Sequence, residues 1–97
     1  MSYFKPCILI PVYRHGKACA EVVESILEYN VPIILVDDGN ESETKQYLSQ
    51  IKQNHPDIEL VVLPQNQGKG GAFKAGVIRA KELGYTHILQ VDADYYF

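Results

Sequence analysis

The sequence predicts an α/β fold, a parallel sheet built β-α-β-α-β-α-β with helices on both faces. Three observations predict it. Four short apolar runs recur along the 97 residues. Most of them do not alternate with polar residues, so both faces of each strand are to be covered. Segments with helical apolar spacing separate the runs, and such alternation implies parallel strands joined by right-handed crossovers.

The first run is Cys7–Val12, rich in Ile, Leu and Val. After it Cys19, Val22, Val23, Ile26 and Leu27 repeat at helical spacing. Ile33–Val36 is the second run. Tyr47, Leu48 and Ile51 mark the next helix, and Asn40 with Glu43 reads as a capping box at its start. Ile58–Leu63 is the third run. Phe73, Val77 and Ala80 form the apolar stripe of the third helix, and Gly84 supplies its stop. Ile88–Val91 is the last run. There is no internal repeat, low-complexity tract or linker, so residues 1–97 read as a single domain.

Composition excludes several classes. The apolar fraction of 46% is ordinary for a globular chain, and the net charge of −3 carries no basic stripe for nucleic acid. The start, Met1 to Pro6, lacks the pattern of a secretory signal, and no apolar stretch approaches the ~20 residues that span a bilayer. Cys7 and Cys19 read as buried free thiols, which suits a reducing cytoplasm. The expected location is cytoplasmic, with membrane association left to a C-terminal region beyond Phe97. The chain ends on Tyr95-Tyr96-Phe97, an apolar cluster that reads as a truncation.

Ligands of open parallel sheets bind outside the carboxyl ends of the strands. Four segments follow the strands here, and nearly every unusual residue lies in them. They are Pro11 to His15, Asp37-Asp38-Gly39-Asn40, Pro64 to Gly71, and Asp92-Ala93-Asp94. Two carboxylates as close as Asp92 and Asp94 repel unless a cation compensates. Mg²⁺ or Mn²⁺ takes one or two carboxylates together with phosphate oxygens and water, so a diphosphate would complete the site. Asp38 can accept a hydrogen bond from a base N–H, or else serve a plain turn with Gly39. Gly68-Lys69-Gly70-Gly71 precedes a helix and reads as a phosphate-binding start, with Lys69 offsetting diphosphate charge. It is not a Walker A motif, since Gly70 follows Lys69 in place of Ser or Thr. Tyr13 can stack on a base, and Pro11 shapes the strand exit. The lone histidines His15, His55 and His87 read as loop, surface and packing residues.

Taken in order, Ile10-Pro11-Val12-Tyr13, Val36-Asp37-Asp38-Gly39, Asn66-x-Gly68-Lys69-Gly70, Ala72-x-x-x-Gly76 and Val91-Asp92-Ala93-Asp94 resemble family 2 glycosyltransferases with the A-type fold. The resemblance covers nearly the whole chain. It implies a Rossmann-like, three-layer α/β/α sheet with strand order 3-2-1-4, of the nucleotide-diphospho-sugar transferase type. It implies a nucleotide-diphospho-sugar donor, commonly a UDP- or GDP-sugar, and inverting transfer to an acceptor hydroxyl on a saccharide or lipid carrier. Pro11, Tyr13 and Asp38 match positions lining the nucleoside, Asp92 the position near the ribose, and Asp94 the metal ligand. The chain would then be the N-terminal, nucleotide-binding part, inactive alone, with acceptor half and catalytic base beyond it. Two departures stand out. Arg14 occupies a position that is often Asn, and Tyr95-Tyr96-Phe97 replace the common Gly-Gln-His. Two other readings stay open: a nucleotidyltransferase, whose first loop would be basic like Tyr13-Arg14-His15-Gly16-Lys17, and a non-catalytic module that self-associates through an uncovered strand edge.

Overall fold

A computed structural model describes residues 3–94. Tyr95-Tyr96-Phe97, and with them the departure at the end of the chain, lie outside the described residues. The elements follow the expected alternation: β1 Pro6–Val12, α1 Gly16–Ile26, β2 Ile33–Asp38, α2 Ser42–Asn54, β3 Glu59–Leu63, α3 Gly68–Glu82 and β4 His87–Gln90. A 3₁₀ turn, Leu27–Tyr29, extends α1.

The sheet runs β3-β2-β1-β4 and every pairing is parallel. The expected strand order 3-2-1-4 is therefore observed. Residues alternate between two cores, as the period of 2 requires. Ile8, Ile10, Val12, Ile33 and Leu35 face one core with Cys19, Val22, Val23 and Ile26 of α1 and Leu48 and Ile51 of α2. Cys7, Leu9, Ile34 and Val36 face the other, with Ala72 and Ala80 of α3. The layers are thus helix, sheet, helix. Both cysteines are free and buried, and burial pushes the Cys19 thiol up to about 12.

The order of the strands explains where the ligand edge opens. Two right-handed crossovers step from β1 to β2 to β3 and put α1 and α2 on one face. The third returns past β2 and β1 to β4, so α3 lies on the opposite face. The direction reverses between β1 and β4, which is the switch point of the sheet. Among the described residues β4 has no strand beyond it, and Leu89 is 63% exposed there.

Several boundaries differ from the sequence reading. β2 continues through Asp37 and Asp38, both 2% exposed, because neighbouring loops supply donors to their carboxylates. β3 starts at Glu59 and β4 at His87, each displaced by one residue. The capping box of Asn40 and Glu43 does not form. Glu41 caps α2, its carboxylate accepting from the Thr44 N–H at 3.1 Å, and the Thr44 hydrogen bonds hold that carboxyl below its ordinary pKa.

The expected stripe of α3 does pack on the second core, but smaller residues sit deepest. Its buried ridge is Ala72, Gly76 and Ala80, while Phe73 and Val77 flank it half-buried. Small residues at this spacing let the helix lie close on β1. A Cβ on Gly76 would run into the Leu9 side chain, coming within 2.9 Å of Cδ2 and closer still to Cδ1. Leu9 is fully buried and has nowhere to turn. Gly76→Ala should therefore cost about 1–3 kcal/mol, although Gly to Ala inside a helix is ordinarily favourable. Gly70→Ala meets nothing within 4 Å and is the control. Urea unfolding of the two variants reads the difference in sign. The helix ends as anticipated at Gly84, where the Gly84 and Tyr85 N–H groups return to the carbonyls of Lys81 and Ala80.

Candidate functional site

Because all four strands are parallel, their carboxyl ends share one edge. There the segments after β1, β2, β3 and β4 enclose an open cleft of about 480 Å³. Pro11, Tyr13, Asp38, Lys69, Asp92 and Asp94 all line it, together with His15, Asn66 and Gly68. Every site residue named from sequence is thus brought to one place.

Each is held there by a local device. Pro11 pairs with Val36 near the end of the sheet and lies past the last pair of β1 with β4, Leu9 with Gln90. Tyr13 is 44% exposed, with the Arg14 guanidinium carbon 5.1 Å from its ring centroid. One face of the ring is covered in this way. Arg14 and His15 both take left-handed backbone angles, φ 62° and 56°, as the chain turns into α1. Asn adopts that region far more readily than Arg, which explains physically why Asn suits position 14.

Asp38 plays a part that the sequence did not reveal. Its Oδ1 accepts from the Gln67 N–H at 2.7 Å, and its Oδ2 from the Asn66 side-chain amide at 2.9 Å. The carboxylate therefore ties the end of β2 to the start of α3. Carboxylate oxygens hold about four lone-pair sites, so the group retains capacity toward a ligand in the cleft.

A second tie was missed altogether. Asn40 is 6% exposed, and its amide donates to the Val12 carbonyl at 2.7 Å and to Asp37 Oδ1 at 2.7 Å. Its carbonyl oxygen accepts from the Arg14 N–H. Asp37 Oδ2 in turn holds Lys45 Nζ at 2.6 Å. The Asp37–Asn40 pair thus joins the β1 and β2 exits, and no buried side-chain polar atom is orphaned among the described residues. Asn and Asp in turns are common enough that sequence carries no mark of such a hub.

The electrostatics of the cleft are two-sided. Gly68-Lys69-Gly70-Gly71 forms the first turn of α3 itself, not a loop ahead of it. That turn contains no acidic residue of its own, and the carboxylate that meets the helix start is that of Asp38, at the Gln67 N–H. Across the cleft lie Asp92 and Asp94. Lys69 Nζ meets Asp92 Oδ1 at 2.8 Å, and this hydrogen bond first, then the Asp92 charge, raises the lysine pKa. The remaining histidines stay outside: His55 lies 3.2 Å from Glu24, and the His87 ring packs on Phe4.

The profile of glycosyl transferase family 2 matches residues 7–97. The chain belongs to glycosyl transferase family 2. Among family 2 relatives, poly-beta-1,6-N-acetyl-D-glucosamine synthase of Staphylococcus epidermidis is 29% identical over 89% of this chain and 21% of its own length. A dolichyl-phosphate beta-glucosyltransferase of Dictyostelium discoideum is 36% identical over 70% of this chain and 20% of its own. The fold resembles that of a mannosyltransferase from Pyrobaculum calidifontis solved in complex with GDP-Man and Mn²⁺. The TM-score is 0.73 at 18% identity, covering 96% of this chain and 28% of the other. The chain thus spans between 20% and 29% of the length of these matched proteins. Membership of family 2 displaces the nucleotidyltransferase reading.

Proposed function

We propose that the chain is the donor-binding part of an inverting family 2 glycosyltransferase, which takes a sugar from a nucleotide-diphospho-sugar to an acceptor hydroxyl. One observation carries the proposal. Four strand exits converge on a single cleft in which a helix N-terminus and Lys69 face two carboxylates. A diphosphate bridges those two walls, with its oxygens toward the α3 turn. Pro11 and Tyr13 then border the nucleoside, and Asp38 keeps the β3–α3 connection in place beneath it.

The donor set also fits a divalent cation. Asp92 and Asp94 are hard oxygen ligands in one turn after β4. No cluster of three or more His, Cys, Asp or Glu ligands occurs among the described residues. Mg²⁺ or Mn²⁺ takes one or two carboxylates together with phosphate oxygens and water, which Asp92, Asp94 and a diphosphate would supply. When bound, the cation supplies Lewis-acid stabilisation of the departing diphosphate. The names of the relatives and the GDP-Man and Mn²⁺ of the structural neighbour support this reading. The chain covers 20–29% of the length of its relatives, so on this reading the acceptor site and the carboxylate base fall to the parts of such a protein that this segment does not match. It acts in the cytoplasm, where its two thiols stay reduced; among the described residues no helix is long and apolar enough to cross a membrane.

Calorimetry with UDP and GDP, in Mn²⁺ and in EDTA, tests the proposal. Mn²⁺ is expected to tighten binding of at least one nucleotide by about tenfold or more. Equal affinities of both nucleotides in Mn²⁺ and in EDTA would overturn it.

A further inference from the structure

Lys69 and Asp92 come from different walls of the cleft, one from the first turn of α3 and the other from the exit of β4. Their side chains meet at 2.8 Å and are 65% and 48% exposed. In the donor-site reading each has another partner, the diphosphate for Lys69 and the divalent cation for Asp92. Without ligands, therefore, each neutralises the other, and neither can serve its own ligand fully while the pair persists.

We propose that the Lys69–Asp92 pair is an exchangeable latch that makes donor and cation bind cooperatively. The inference rests on the donor-site reading above. The diphosphate draws Lys69 away from Asp92, and Asp92 is then released to the cation. Two features suit such an exchange. An exposed ion pair is a weak hold, worth only a few-fold in an equilibrium. The lysine charge rides on a flexible four-carbon stem, so it can change partners without moving the helix. Linkage is reciprocal, so the factor by which nucleotide tightens Mn²⁺ equals the factor by which Mn²⁺ tightens nucleotide.

Lys69→Met and Lys69→Arg separate the outcomes. Free Mn²⁺ is counted by electron paramagnetic resonance, and UDP and GDP binding is measured by calorimetry with and without Mn²⁺. In Lys69→Met, Mn²⁺ alone should bind roughly two- to fivefold more tightly, since its rival for Asp92 is gone. Nucleotide alone should bind more weakly, and the coupling factor should fall. Lys69→Arg, which keeps a cation that pairs with carboxylates, should restore all three toward wild type. Thermal unfolding of both variants should match wild type. The latch is refuted if nucleotide and Mn²⁺ still bind but Lys69→Met leaves Mn²⁺ affinity and coupling unchanged. Absence of any nucleotide binding in the wild-type chain would instead remove the donor-site reading, and the latch with it.

Discussion

Gly39→Ala should lower stability by about 2–5 kcal/mol and open the donor cleft. Gly39 stands at φ 65°, between Asp38 and Asn40, in the left-handed region that costs an L-residue roughly 1–2 kcal/mol. A Cβ there has no room. It would come within 2.7 Å of Gln65 Cα and nearer still to the backbone at Asn66. Those atoms are main chain, so no rotamer change relieves the clash, and overpacking of this kind adds about 1–3 kcal/mol. Against the roughly 5–15 kcal/mol that stabilises a domain, the loss is large. The segment that must move is the one Asp38 fastens through Asn66 and Gln67. Relief therefore displaces the start of α3 and with it Lys69. Nucleotide affinity should fall even at temperatures where the variant is folded. A urea midpoint equal to that of wild type would show that the β2 and β3 exits are not packed as described.

The same region shows what sequence can and cannot carry. Strands were legible because apolar runs covered on both faces report burial directly, and Cys7, Leu9 and Ile10 are indeed wholly buried. Helix order was legible from apolar spacing. The deepest ridge of α3 was not, because an apolar stripe ranks residues by hydrophobicity. What decides contact with the sheet is size, and Gly76 against Leu9 needs the smallest side chain of all. The gathering of six site residues in one cleft followed from the parallel sheet, since strand ends share an edge. The roles within that cleft did not follow. Asp38 turned out to anchor a neighbouring connection, and Asn40, read as a helix cap, bridges two strand exits instead. Both depend on contacts between positions 26 to 29 residues apart, which local pattern does not encode.

Asp94→Asn should abolish most of the metal-dependent part of nucleotide binding and leave the fold intact. Asp94 is exposed and lies beyond the last strand, so no core contact is lost. Asn keeps the shape of the side chain and removes its charge. Partners that merely support a ligand cost 10–100-fold in metal affinity when mutated, so loss of a ligand should cost about 100-fold or more. In EDTA, wild type and variant should bind UDP or GDP alike; in Mn²⁺ only wild type should gain. Asp92→Asn is the informative contrast. It removes a carboxylate too, but it also frees Lys69 from its 2.8 Å partner. Nucleotide binding in EDTA should therefore tighten slightly in Asp92→Asn, by no more than the few-fold of an exposed ion pair, and stay unchanged in Asp94→Asn. If Asp94→Asn keeps the full gain from Mn²⁺, the cation does not use this carboxylate. If both variants behave identically in EDTA, Lys69 is no counterweight to the diphosphate, and the two walls of the cleft act independently.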